Sequence, residues 1–353
     1  MRLPPKLPGP WRITFDTNPD LCNLRCIMCE VHSIYNPNPP RTNRIMPIET
    51  IERVLRSTHK YLKEIIPSTM GEPLLYPYFK RLIDLIDSYN LKMNITTNGT
   101  FPILGVEKWG YLLMPIVSDI KVSVNGATPK TAEKIMVGLD FNKQIENLKK
   151  LVEIRDQIRA EGINYPTITM QATFMEMNLE ELPQMLEMAI DIGLDRFKGH
   201  HLWVTWPQLA QQSLKRSVES IRRWNRIVDK LYEIKKRRRS KIVLSNIYKL
   251  PEDLTPHRVP ENWICPFLGR EAWIAWDGTF NICCAPDRLR RLHGYFGNVN
   301  ETDFMELWNS EKYNKLVATW GRNPVCKICN MRRPPEDVHR YLVSKGVIVG
   351  DKI

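Results

Sequence analysis

The chain reads as an α/β protein in which an open barrel of βα units is followed by a small α+β domain. Three observations predict this. From residue 11 to about 245, short strand-like runs alternate with longer amphipathic stretches, the signature of repeated βα units around a parallel sheet. The segment 251–260, with three prolines and no regular period, interrupts that alternation as a linker. Beyond it lie a hairpin signal, two short helical patterns and five of the chain's eight cysteines.

Taken in order, strands are predicted over 12–17, 64–69, 92–97, 120–124, 167–174, 196–201 and 241–245, with helices over 48–61, 79–89, 142–159, 179–192 and 214–235. Six or seven such units fall short of the eight of a closed barrel. The expectation is therefore a partial (β/α)6 TIM-like barrel over residues 1–250, with its active site at the C-terminal ends of the strands. After the linker, residues 271–283 form a hairpin, because Asp277-Gly278 supplies the turn between two alternating apolar runs. Helical patterns at 303–308 and 311–320 lead to the last cysteine pair and complete a domain over 251–353.

Composition excludes several classes. At 353 residues, 43% hydrophobic and 25% charged, the chain has ample core for a soluble globular fold without disulfides. No apolar run has the length of a bilayer span. The proline-rich start, Met-Arg-Leu-Pro-Pro, is no secretory signal, which places the protein in the cytoplasm with no membrane partner. A net charge of +12 invites an anionic partner. Its densest run, Lys235 to Arg239, sits at a predicted helix end, where cations face the negative end of the dipole. That placement argues against a nucleic-acid surface.

In a reducing compartment, cysteines read as ligands or reactive thiols before disulfides. Cys22, Cys26 and Cys29 have the spacing C-x3-C-x2-C directly after a strand. Such a loop wraps three thiolates round three irons of a 4Fe-4S cluster and leaves the fourth iron open to a small molecule. A Cys3His zinc site completed by His32 uses the same thiols. Polar and glycine groups stand at successive strand ends, in Ser68 to Leu75 and in Thr96-Thr97-Asn98-Gly99-Thr100. Near the C-terminus, Cys265, the pair Cys283-Cys284, and Cys326 with Cys329 provide a four-thiolate site for zinc or a second 4Fe-4S cluster. A binding module with two zinc sites is the reading from another class, and it predicts colourless protein and salt-dependent binding to polyanions.

Over residues 11–245 the sequence resembles the radical S-adenosylmethionine (SAM) superfamily, through the three-cysteine motif above all. In that family a Gly-Gly-Glu-Pro motif binds the cofactor's amino group; Gly71, Glu72 and Pro73 match it, and Met70 replaces the first glycine. Met28 stands where an aromatic residue usually precedes the third cysteine, and its thioether is expected to pack on adenine. Ser123 and Asn125 lie in a segment similar to the family's fourth strand, which reaches the ribose; Met136 stands where related sequences often carry arginine. Thr97, Asn98 and Gln171 are further cofactor-contact candidates. The C-terminal region resembles SPASM domains, most closely the shortened twitch form with one auxiliary cluster. This implies Cys265, Cys283, Cys326 and Cys329 as ligands. Cys284 is left as a buried apolar residue or as an S–H donor to a substrate radical. His200 and His201 are candidates for substrate binding or for taking a proton, with a structural role as the alternative.

The resemblance implies reductive cleavage of SAM and hydrogen-atom abstraction by the resulting 5′-deoxyadenosyl radical, with a flavodoxin or ferredoxin as electron donor. The expected reaction is oxidation or epimerisation of a small polar molecule such as a sugar or cyclitol. Modification of a peptide side chain is the alternative. Against it stand the 21 residues before Cys22, too few for a leader-binding domain.

Overall fold

The computed structural model describes residues 6–68 and 70–349. Thr69, which ends the predicted second strand, and the first five residues, read above for a targeting signal, lie outside the described residues. Among the described residues nine strands form a single sheet: β1 (Arg12–Phe15), β2 (Glu64–Ile66), β3 (Lys92–Thr97), β4 (Val117–Ser123), β5 (Thr167–Phe174), β6 (Arg196–His201), β7 (Val243–Ser245), β8 (Glu271–Ile274) and β9 (Phe280–Asn281). Their order is β7-β6-β5-β4-β3-β2-β1-β8-β9. Every neighbouring pair is parallel except the hairpin β8–β9. Consecutive parallel strands laid side by side, each reached through a helical crossover, curl into a partial barrel of one hand.

The helices are α1 (Ile48–Thr58), α2 (Phe79–Ser88), α3 (Gly105–Leu113), α4 (Pro129–Ile135), α5 (Phe141–Ala160), α6 (Leu182–Ile192), α7 (Val218–Arg237), α8 (Asp287–Arg290), α9 (Phe304–Asn309), α10 (Glu311–Thr319), α11 (Pro324–Lys327) and α12 (Pro335–Ser344). Local chemistry sets their ends. Asp140 caps α5 by accepting from Lys143 N at 2.9 Å, and Ser217 caps α7 by accepting from Ser220 N at 3.2 Å, which is why α7 starts four residues later than its apolar pattern. The helix predicted from residue 179 begins at Leu182 after a 3-10 turn over Glu176–Glu181; Pro183, which has no N–H, fits only the first turn. Helices α3 and α4 fill further gaps between the predicted strands. Arg237 and Arg238, in the basic run, pair with Glu187 and Asp191 of α6, so a helix neighbour takes up part of that charge.

The C-terminal hairpin has the predicted turn, with Gly278 at φ +87°, but its first strand does more than close a satellite unit. β8 pairs in parallel with β1, Arg12 opposite Glu271 and Phe15 opposite Ile274, which covers a sheet edge that would otherwise expose unpaired backbone groups. One apolar core accordingly runs from Ile13 and Phe15 through Trp224 to Phe280, Phe304 and Trp308. Below it, Arg12 bridges two buried carboxylates, donating to Glu64 at 2.8 Å and to both oxygens of Glu271. Helix α12 lies against these strand starts through Tyr341 Oη, 2.8 Å from Arg12, and through an ion pair of Lys345, the residue that caps it, with Glu64. Among the described residues no helix is long and apolar enough to cross a membrane.

Candidate functional site

A cavity of about 690 Å³ occupies the barrel. Cys22, Cys26 and Cys29 line it at one end, and the strand termini supply Gly71, Glu72, Thr97, Asn98, Ser123, Asn125, Gln171 and His200; Met28 and Cys284 also face it. Thirteen of the residues singled out from the sequence thus meet in one space. Pro73, His201, Cys265, Cys283, Cys326 and Cys329 do not line it.

The cluster loop is held from several sides. Arg25 N and Ile27 N donate to Val137 O and Ile135 O at 2.9 Å, Ser33 Oγ donates to Ile27 O at 2.7 Å, and Trp206 Nε1 donates to Cys29 O at 2.9 Å. Backbone amides reach two sulfurs, from Leu24 to Cys22 at 3.4 Å and from His32 to Cys29 at 3.2 Å. Burial raises all three thiols, Cys22 to about 11; Cys29 and Glu72 raise Cys22 and Cys26 further, Cys22 adds to Cys26, and Glu30 raises Cys29. Such thiols ionise only when a metal pays for the charge. His32 is turned away from a ligand role, its Nε2 lying 2.8 Å from Pro19 O.

Gly71 sits at φ +75°, and a Cβ there would stand 2.3 Å from Asn18 O and 2.7 Å from Leu21 O, so only glycine lets this loop approach the cysteine loop. Glu72 follows it, 1% exposed, accepting from Thr97 Oγ1 at 2.7 Å and Asn98 N at 2.8 Å. Burial pushes its pKa up to about 7 against these hydrogen bonds, and among the described residues it has no cationic partner. A buried carboxyl with donors on both oxygens and no counter-charge is a ready receptor for an ammonium group. Asn98 Nδ2 donates to Asn23 Oδ1 at 2.8 Å, tying the β3 end to the cluster loop. Asn125 is buried and fixed through Oδ1, which accepts from Thr173 N at 2.8 Å. Ser123 and Gln171 face each other across β4 and β5. The donor set therefore fits SAM on an iron-sulfur cluster. Glu72→Gln is expected to weaken SAM binding by about 2 kcal/mol, roughly thirtyfold, with iron content retained; equilibrium dialysis of the reconstituted protein measures it.

The two histidines part company. His200 lines the cavity, its pKa lowered to about 4 by burial and by Lys198, so its imidazole is neutral. His201 points to the other face, its ring centroid 4.7 Å from Trp224 and 5.9 Å from Phe174, with Nδ1 buried and unpartnered.

The C-terminal sulfurs gather beside the barrel. Burial raises Cys283 to about 11 and Cys326 to about 12, and Cys265 and Cys329 likewise; Cys326 and Cys329 are raised further by Cys265 and Cys283. Guanidiniums stand close by: Arg270 donates to Cys265 O and Arg332 to Cys326 O, cations placed to offset a thiolate-bound cluster. Cys284 is pushed well above its ordinary value by burial and by its sulfur neighbours, Cys329 first.

Four residues that the sequence reading missed join these parts. Glu30, next to Cys29, accepts from Asp287 N at 2.8 Å and Arg288 N at 3.1 Å, linking the cluster loop to the segment after Cys284. Asn330, next to Cys329, donates to His201 O and Leu202 O at the end of β6. Gln144 and Asn147 of α5 clamp the β3 end through Asn98 O and Gly99 O.

Comparison with known proteins follows the same division. Residues 19–189 match the Radical SAM superfamily, and residues 265–330 match SPASM, an iron-sulfur cluster-binding domain. The chain is 25% identical over 337 residues to the tungsten-containing aldehyde ferredoxin oxidoreductase cofactor-modifying protein of Pyrococcus furiosus, covering 88% of this chain and 85% of that protein. It is 23% identical over 318 residues to the PqqA peptide cyclase of Bradyrhizobium diazoefficiens, covering 88% and 76%. Streptococcus suis SuiB bound to S-adenosylmethionine superposes with a TM-score of 0.66 at 17% identity, over 92% of this chain and 73% of that one. The enzyme anSMEcpe with bound AdoMet gives 0.63 at 14% identity, over 97% and 96%. At these identities the two solved structures establish the fold.

Proposed function

We infer the reaction from one premise: the chain belongs to the radical SAM superfamily and carries an SPASM domain, so its cofactors are SAM and 4Fe-4S clusters. On that premise we read it as an enzyme that removes a hydrogen atom from a side chain of a peptide or protein. The observation that carries the reading is the shared cavity, which has the three-cysteine loop at one end and Cys284 of the C-terminal set on its wall. A peptide is preferred to the expected sugar or cyclitol because two matched relatives are PqqA peptide cyclases. A small organic cofactor as substrate is the second reading, favoured by the name of the Pyrococcus furiosus relative.

When bound, the SAM-loaded cluster supplies a 5′-deoxyadenosyl radical from one delivered electron, for which a flavodoxin- or ferredoxin-class donor is the source. The residues of the chain bind, orient and move protons. Cys22, Cys26 and Cys29 would hold the cluster, Glu72 would receive the amino group, and Ser123, Asn125, Gln171 and Met28, which line the same cavity, would contact the nucleoside. His200 offers a neutral imidazole to the proton that an oxidised substrate sheds. Cys265, Cys283, Cys326 and Cys329 would hold one auxiliary cluster, which would supply a place for the remaining electron, and Cys284 faces the cavity. Cys284→Ala is accordingly expected to keep full iron content while Cys283→Ala loses about half of it; iron lost from the first variant instead would exchange their roles.

The test supplies reduced, reconstituted protein and SAM with deuterated cell extract separated into peptide and small-molecule pools. Deuterium should enter 5′-deoxyadenosine from the peptide pool. Transfer only from the small-molecule pool overturns the peptide reading.

A further inference from the structure

The interior face of the barrel carries basic side chains, of which Lys121, Lys198 and Arg333 make no ion pair among the described residues, while Arg12 and Arg196 do. On the sheet, Lys198 of β6 stands opposite Gln171 of β5, which stands opposite Ser123 of β4. One pleat lower, Lys121 of β4 and Arg196 of β6 both flank Thr169. All face the cavity except Thr169, which is buried. Arg333, from the C-terminal segment, faces it too.

The nearby carboxylates are already engaged. Asp119 accepts from Arg196 at 3.2 Å and from Thr167 and Thr169 at 2.8 Å, and Glu64 and Glu271 are held by Arg12. Lys198 makes no ion pair or hydrogen bond through its amine among the described residues. Among the described residues the Lys121 amine has one hydrogen bond, to Thr96 Oγ1 at 3.3 Å. Arg333 packs its guanidinium near the rings of Phe267 and Tyr341, with Nε buried and unpartnered. Asp119 acts at longer range on both lysines, Glu64 on Lys121, and Arg333 on Glu271, but no carboxylate makes an ion pair with any of the three among the described residues. Desolvated cations left without an ion pair are costly to a fold, and sites that bind anions accept that cost.

We propose that Lys198, with Lys121 and Arg333, forms an oxyanion site in the barrel that anchors a carboxylate or phosphate of the substrate beside the strand-end row that meets SAM. The proposal rests on the cavity being the substrate site and names the charge that its substrate carries. Burial and the neighbouring Lys121 and Arg333 hold the Lys198 ammonium well below its ordinary pKa, a penalty that an incoming anion reverses. Anchoring at Lys198 fixes one end of the substrate and leaves the carbon to be attacked free to lie between Gln171 and His200.

Binding of inorganic phosphate and of N-acetylaspartate to the reconstituted, SAM-loaded protein, followed by calorimetry, tests this without turnover. At least one probe should bind the wild type. K198M should weaken it tenfold or more, K121M by a smaller factor, and K236M, on the exposed end of α7, should leave it unchanged. Tighter binding of N-acetylaspartate assigns the anion to an acidic side chain; tighter phosphate binding assigns it to a phosphorylated substrate. If K198M does not fold, acetylation of wild-type Lys198 by acetic anhydride, read by mass spectrometry, should be suppressed by the probe that binds. Binding of neither probe, equal binding by K198M, or labelling indifferent to the probe overturns the proposal. Because neither readout needs reductant or a peptide, failure of the peptide reading leaves the result intact.

Discussion

Replacing Cys26 with alanine is expected to bring reductive SAM cleavage to background and to lower the iron content by about half, while the fold and the C-terminal cluster persist. The thiol is held in a turn in which Cys29 N donates to Cys26 O at 3.0 Å, and it is desolvated by the apolar neighbours of the loop. Two thiolates cannot grip the cube that three hold, and no neighbour stands ready to replace the third: His32 is bound to Pro19 O, and Glu72 is fixed by Thr97 and Asn98. The loop itself stays folded because it is held through backbone, Ser33 and Trp206, and the amides that reach sulfur from Leu24 and His32 go to Cys22 and Cys29, which the substitution leaves in place. Iron analysis with the near-ultraviolet and visible spectrum reads the first effect, and chromatographic detection of 5′-deoxyadenosine reads the second. Unchanged iron would remove Cys26 from the ligand set.

Arg12→Ala is expected to cost about 3–5 kcal/mol of stability, the range for breaking a buried ion pair. Arg12, Glu64 and Glu271 are all under a tenth exposed, and the two carboxylates converge on one guanidinium. Without it, Glu64 retains Lys345 and Ser118, whereas Glu271 loses its ion-pair partner. The fall in urea midpoint, at unchanged m-value, measures the cost. The same network sets a pH dependence. Arg12, Lys345 and hydrogen bonds hold the Glu64 carboxyl down at about 2 in spite of its burial, while burial draws Glu271 the other way. A carboxyl lower in the folded chain than in the unfolded one gives stability that is complete above the ordinary carboxylate range and is lost as pH falls from there through about 2. In Glu64→Gln the acid limb of the stability profile should flatten by about one proton.

Much of this was legible in the sequence because it is local. Strand positions follow from short apolar runs, and the N-terminal site follows from three cysteines within eight residues. Period two also separates His200 from His201: Lys198 and His200 share the cavity face and His201 takes the other, where Phe174 and Trp224 enclose it. The same alternation marks Lys121 and Ser123 as inward residues. What stayed hidden depends on chain segments far apart. Nothing near residue 271 announces that β8 pairs with β1, and nothing near Cys29 announces that Glu30 caps a turn 257 residues away. Asn330 and Gln144 are ordinary polar residues in sequence, and become anchors only when the fold brings carbonyl groups of β6 and β3 to them.

Electron paramagnetic resonance of the dithionite-reduced protein, titrated with SAM, examines the central claim most directly. Two cluster signals are expected, one that shifts as SAM occupies the open iron held by Cys22, Cys26 and Cys29, and one that does not move. Signals indifferent to SAM, or an identical shift in Cys26→Ala, would contradict the account.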